Sequence, residues 1–272
     1  MTMSVLVLTG SASGIGAHMT GVFARRGDTV VATDVDLAAL EKRAAEGAWG
    51  TNVRLARLDV REAAEWEAAL DLAEREGGGL DVVMNIAGVL KPGWVPDLGP
   101  ADVDFHLDVN VKGTVLGTRA AAARMIARGR GGHIVNIGSL ASLAPVPGLS
   151  LYAASKFAVR GFTLAAAMEL GRHDIAVTLV MPDAVQTPML DLQVDHEEAA
   201  MTFSGPRALT VEDVERALLT EVLPKRPLEI TLPLGRGMLA RAANTAPAAS
   251  RWLEPMLTKK GREAQERIKQ GR

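Results

Sequence analysis

Val5-Leu6-Val7-Leu8-Thr9-Gly10-Ser11-Ala12-Ser13-Gly14-Ile15-Gly16 decides the fold. Its apolar opening is strand length, and a helix-like segment follows at residues 15–26. Between them lies a turn with glycine at 10, 14 and 16. Glycine allows a tight turn and a close backbone approach, while the first amides of a helix and its dipole attract an anion. A glycine turn by itself is only a strand–helix corner. In the order strand, turn, helix it becomes a cradle for the pyrophosphate of a dinucleotide, with Gly10, Ser13, Gly14, Ile15 and Gly16 as the candidate contacts.

The rest of the chain repeats the alternation. Strands are predicted at residues 4–9, 29–34, 53–58, 80–86, 133–137, 175–181 and 228–231. Helices are predicted at 15–26, 37–45, 62–76, 103–128, 152–171 and 211–223. Several strands are apolar throughout, as strands covered on both faces must be. The pattern is that of βαβ units around a parallel sheet, an α/β protein. Residues 1–232 form the expected single domain, and 233–272 read as a C-terminal extension.

The 272 residues are 48% hydrophobic and 23% charged, enough for one large core. A net charge of -2 argues against nucleic acid as a partner. Cysteine is absent, which excludes disulfides and thiolate metal sites and fits a reducing cytosol. No metal site is expected. The first ten residues lack a basic leader, and no stretch reaches the roughly 18 apolar residues of a spanning helix. A cytoplasmic protein is the expectation.

Asp34 closes the second predicted strand, eighteen residues beyond Gly16. A carboxylate there accepts hydrogen bonds from the adenosine ribose hydroxyls and repels a 2′-phosphate. Neither Ala12 nor Val35 supplies a cation to welcome that phosphate, so NAD is expected rather than NADP. Asp59 and Val60 follow the third strand, placed to hold the adenine edge. Asn85, Ala87 and Gly88 follow the fourth, where small residues let the backbone pass close to the cofactor.

Tyr152, the single tyrosine, stands four residues before Lys156 near the start of a predicted helix, so the two share a face. A free phenol titrates near about 10, and a nearby ammonium should lower that value toward the range of a general acid/base. Ser139, just past the fifth strand, is placed to orient a substrate oxygen, and Asn110 to hold a water in a proton path to Lys156.

The set Thr9-Gly-x-x-x-Gly-Ile-Gly16, Asn85-x-Ala-Gly88, Asn110, Ser139 and Tyr152-x-x-x-Lys156 resembles the classical short-chain dehydrogenase/reductase family across residues 4–231. The resemblance implies a Rossmann-type doubly wound parallel sheet and a Ser-Tyr-Lys-Asn catalytic group. It also implies a homodimer or homotetramer. Tyr152 and Lys156 would then also contact the cofactor, the lysine at the nicotinamide ribose. Pro182, Val185 and Thr187 match a family loop that meets the nicotinamide carboxamide. Two positions depart from the pattern: Ile86 stands where a second asparagine is common, and Asp183 where glycine is usual.

The implied activity is hydride transfer between NAD(H) and an alcohol or ketone. An NADP-dependent carbonyl reductase and a catalytically silent dinucleotide sensor are the alternatives. Residues 188–206 are the expected lid, with Met189, Leu190, Leu192, Met201 and Phe203 either lining a pocket or packing on the core. Leu143, Val146 and Leu149 border the catalytic group, and no arginine stands where it would obviously meet a substrate carboxylate. A neutral or lipophilic small molecule is therefore expected. The basic, partly amphipathic extension is expected to pack on the core or a partner subunit, burying Trp252, in preference to peripheral contact with an anionic membrane.

Overall fold

The computed structural model describes residues 3–271, and Met1, Thr2 and Arg272 lie outside the described residues. Seven parallel strands form one sheet: β1 (Val5–Thr9), β2 (Thr29–Asp34), β3 (Val53–Arg57), β4 (Val82–Asn85), β5 (Gly132–Ile137), β6 (Ile175–Pro182) and β7 (Glu229–Leu232). Their spatial order, β3-β2-β1-β4-β5-β6-β7, reverses between β1 and β4. The crevice outside the carboxyl ends of those two strands is where a doubly wound sheet binds ligands.

The helices are α1 (Gly14–Arg25), α2 (Leu37–Glu46), α3 (Ala63–Gly77), α4 (Pro100–His106), α5 (Gly113–Arg128), α6 (Ser150–Leu170), α7 (Pro188–Asp191), α8 (Val211–Ala217), α9 (Leu223–Lys225), α10 (Leu234–Thr245) and α11 (Pro247–Gln270). One core layer joins Leu6, Leu8 and Val30 of the sheet to Met19 and Phe23 of α1 and Val214 of α8. The other joins Val7, Val31 and Val83 to Trp66 and Leu70 of α3 and Met125 of α5. The apolar strands thus bury both faces, as their composition requires.

The predicted helix over 103–128 is interrupted. α4 and α5 are joined by a π-helical stretch, Leu107–Lys112, that contains Asn110. The looser winding displaces a side chain from the position that regular helical spacing assigns to it.

α10 and α11 fold back onto the rest of the molecule. An added Cβ at Gly237 would lie 1.9 Å from Oγ1 of Thr231, and one at Gly261 would lie 1.9 Å from the carbonyl oxygen of Ala200. Gln265 donates to the carbonyl oxygens of Gln193 (3.1 Å) and His196 (2.9 Å). The packing face of α11 is nevertheless not the expected one. Trp252 is 87% exposed and Met256 is exposed with it, because the close contacts lie at Gly261 and Gln265. No helix among the described residues is long and apolar enough to cross a membrane.

Candidate active site

A cavity of about 1260 Å³ runs over the carboxyl ends of the strands, from Asp34 past the glycine turn to Tyr152 and the C-terminal helices. Gly10 takes φ +69°, and a Cβ there would come within 3.0 Å of the Ala87 backbone. A Cβ on Gly16 would lie 2.1 Å from the Gly10 carbonyl oxygen, so that turn closes only on glycine. Thr9 Oγ1 accepts hydrogen bonds from the amides of Ile86 and Ala87, both at 3.0 Å, and locks the loop after β4 against the turn. Ser13, Gly14, Ile15 and Gly16 line the cavity, and the side chain of Ser13 does not cap α1. The first amides of α1 therefore remain as donors toward an anion.

Asp34 lines the cavity and also builds it. Its carboxylate accepts from the amide of Ala12 (3.0 Å), within the glycine turn, and from that of Asp36 (3.1 Å). The carboxylate of Asp59 accepts from Arg61 Nε (2.9 Å) and Nη2 (2.6 Å). The hydrogen bond from Arg61 holds the Asp59 carboxyl below its usual range. Asp59 thus reaches the cavity already paired with Arg61, a partner that sequence reading missed, and Val60 lines the cavity beside them. Ala87, Gly88, Pro182, Val185 and Thr187 also line it.

Two expected residues have their side chains held inside the fold. Asn85 points into the interior, donating to Asn136 Oδ1 (2.7 Å) and Thr118 Oγ1 (3.3 Å). Asn136 in turn donates to Thr163 (2.9 Å), so this network joins β4 and β5 to α5 and α6 behind the site. The side chain of Asn85 is committed to the core, and within the stretch Asn85–Gly88 it is Ile86, Ala87 and Gly88 that line the cavity. Asn110 is fully buried. It accepts from the amide of Val89 (2.8 Å) and donates to the Val89 carbonyl (3.0 Å) and to Ser155 Oγ (2.9 Å). Its own carbonyl accepts from Thr114 (2.8 Å). Asn110 therefore clamps the loop that carries Gly88, where an added Cβ would lie 3.5 Å from Lys156 Nζ.

Ser139, Tyr152 and Lys156 share one wall of the cavity. Ser139 caps the short turn Leu140–Ser142, accepting from the amide of Ala141 (3.1 Å). Lys156 Nζ donates to the carbonyl oxygen of Ile137 (3.0 Å) and lies 5.6 Å from the centre of the Tyr152 ring. Burial lowers the Lys156 ammonium to about 8. Burial also raises the Tyr152 phenol, opposed by its hydrogen bond with Ser139. The expected lowering by Lys156 does not prevail, because removing the phenolate from water outweighs an ammonium directed at a different acceptor.

The far end of the cavity is mostly apolar. Met189, Leu190 and Met201 line it, and so do Val146 and Leu149. Phe203 instead packs with Leu190 and Val194, Leu192 is exposed, and Leu143 is buried in a separate cluster with Val159 and Met181. The C-terminal helices close this end with Leu239, Leu253 and Leu257. They also bring Arg236 and Arg251 to its wall, two cations that no local sequence signal marked. Arg236 Nε donates to Asp183 Oδ2 at 2.7 Å, so the aspartate at the usual glycine position has a specific partner.

The model of the family described as short chain dehydrogenase matches residues 4–198. A 3-alpha-(or 20-beta)-hydroxysteroid dehydrogenase of Mycobacterium bovis is 38% identical over 187 residues, 69% of this chain and 71% of that protein. Oxidoreductase UcpA of Salmonella typhimurium is 34% identical over 243 residues, 88% and 87% of the two chains. A short chain dehydrogenase/reductase from Burkholderia phymatum, solved in complex with NAD, superposes with a TM-score of 0.81 at 26% identity, covering 91% of this chain and 95% of that one.

Proposed function

The chain belongs to the short-chain dehydrogenase family, and we propose that it is an NAD(H)-dependent oxidoreductase acting on a neutral or lipophilic secondary alcohol or its ketone. The observation that carries this reading is the convergence of Ser139, Tyr152 and Lys156 on one wall of a single cavity. That cavity has the glycine turn and Asp34 at one end and an apolar wall at the other.

The residues present suit a dinucleotide. The glycine turn offers uncapped helix amides to a pyrophosphate, and the Asp34 carboxylate offers an acceptor to ribose hydroxyls. The nearby cation Arg61 is engaged by Asp59, so little positive charge is left to attract a 2′-phosphate, which supports NAD over NADP. When bound, the nicotinamide supplies the hydride acceptor or donor. Tyr152 Oη takes the hydroxyl proton in oxidation and returns it in reduction, while Ser139 steadies the substrate oxygen. The Lys156 ammonium is placed to contact the nicotinamide ribose, and Asn110 fixes the loop beside it. Oxidation of the alcohol is the favoured direction.

The apolar lining supports a greasy substrate, and the similarity to a hydroxysteroid dehydrogenase agrees with that class. The family resemblance supports a homodimer or homotetramer. The deciding experiment screens alcohols with NAD and NADP, and ketones with NADH and NADPH, at the nicotinamide absorbance. Turnover of bulky apolar ketones with NADH is expected. Turnover with NADPH alone, or none with any carbonyl, overturns the reading.

A further inference from the structure

Asp183 sits between Pro182, the last residue of β6, and a stretch whose Ala184, Val185 and Thr187 line the cavity. Its amide donates to the carbonyl oxygen of Leu232 (2.7 Å) at the end of β7, which fixes its backbone. Its side chain, 13% exposed, meets the 21%-exposed side chain of Arg236 from the first turn of α10. Arg236 donates from Nε to Oδ2 at 2.7 Å and from Nη2 to Oδ1 at 3.4 Å, a two-point contact. The same guanidinium reaches Oγ of Ser204 at 3.4 Å, and Ser204 is nearly fully buried at the end of the Glu197–Ser204 segment. All three residues line the cavity.

Three separate pieces of chain meet at this guanidinium: the loop after β6, the segment before Gly205, and the helix that begins the C-terminal pair. α10 and α11 supply the apolar wall through Leu239, Leu253 and Leu257. α11 also packs on the Glu197–Ser204 segment through Gly261. A planar guanidinium with two parallel bonds to one carboxylate fixes orientation as well as distance, and a lysine at the same place retains charge but not the fork.

We propose that Asp183, Arg236 and Ser204 form a clasp that sets the position of the C-terminal wall over the cavity, making Asp183 and Arg236 positioning residues for substrate selection. This inference rests on the reading of the cavity as a substrate site. The clasp itself touches no reacting atom. It determines how closely Leu239, Leu253 and Leu257 approach a bound apolar substrate, so its loss falls on KM for bulky substrates more than on kcat.

The test uses the full chain and four variants: Asp183→Asn, Arg236→Gln, the double variant, and Arg236→Lys. Backbone hydrogen exchange of residues 234–257 is measured with NADH present, alongside KM and kcat for a bulky and a small apolar ketone. Each single neutralisation is expected to speed exchange across α10 about tenfold. The double variant should go no further than Arg236→Gln, which also gives up the Ser204 contact, and Arg236→Lys should recover part of the loss. KM for the bulky ketone should rise in parallel about tenfold, with a smaller rise for the small one. Unaltered exchange in the single variants, or effects that multiply in the double variant, would overturn the clasp. Coupled exchange with equal KM changes for both ketones would overturn its role in selection. Failure of the parent chain to turn over any ketone overturns the proposed activity instead, and the exchange arm then still decides the clasp.

Discussion

The Lys156 ammonium is bonded to the Ile137 carbonyl oxygen at 3.0 Å and stands 5.6 Å from the centre of the Tyr152 ring. A cation kept in so dry a place costs stability. The folded protein binds its proton near about 8, well below the ordinary 10.5. Between those values the unfolded chain holds more protons, so stability rises as pH increases from 8 toward 10.

Lys156→Met is therefore expected to stabilise the fold at pH 7 by roughly 2–3 kcal/mol while abolishing turnover. Urea unfolding at pH 7 and pH 9.5 checks this. The gap between parent and variant should narrow at the higher pH, and a variant less stable at pH 7 would contradict the assignment.

Tyr152→Phe preserves the ring volume and removes the transferable proton. A drop in kcat of about a thousandfold is expected, within the range of general acid–base catalysis, with NADH binding retained. Single-turnover kinetics with a competent ketone measure the chemical step directly. Parent-like turnover would remove Tyr152 from the mechanism.

Asp34 has two roles, since its carboxylate also holds the Ala12 amide. Asp34→Asn keeps an acceptor for that amide and loses the charge. Affinity for NADH should fall about tenfold and that for NADPH should rise. Fluorescence titration at matched ionic strength reads both constants. Equal affinities in the parent chain would show that Asp34 does not discriminate.

His133 lies on β5, buried, with Nε2 at 2.9 Å from Thr178 Oγ1 and no partner for Nδ1 among the described residues. Burial holds its imidazole at about 4 against the usual 6.5. The unfolded chain thus takes up a proton that the folded one refuses, and stability is lost as pH falls from 6.5 toward 4. The full effect is about 3 kcal/mol. Chemical unfolding from pH 7 to pH 4.5 should show a shallower acid loss in His133→Gln than in the parent chain. Parallel curves would refute it.

The glycine turn and the Tyr-x-x-x-Lys pair were legible because their geometry is local. A strand followed by a helix fixes the turn, and a spacing of four fixes a shared helical face. Asn85 and Asn110 were legible as residues of the region but not in their direction. Asn85 is drawn inward by Asn136 and Thr118, and Asn110 lies in a π-helical stretch that regular spacing does not anticipate. The pairing of Asp183 with Arg236 spans 53 residues, and no periodicity reports such a meeting. The apolar residues of α11 were equally ambiguous, since a stripe reads alike whether it meets ligand, core or water. Leu257 lines the cavity while Trp252 stands in solvent.

That exposed indole makes the protein optically informative. Of its four tryptophans, Trp66 is sealed in the core while Trp252, at 87% exposure, rides on the helix that closes the cavity. A quencher in the buffer reaches the second and not the first. Trp94, 40% exposed, shares the quenchable part of the emission, so Trp252→Phe isolates the part that comes from α11. The difference in quenching between the parent chain and Trp252→Phe is then the signal in which a shift of α11 on occupancy of the apolar end would register, with compounds that undergo no reaction and absorb nothing at the nicotinamide wavelength.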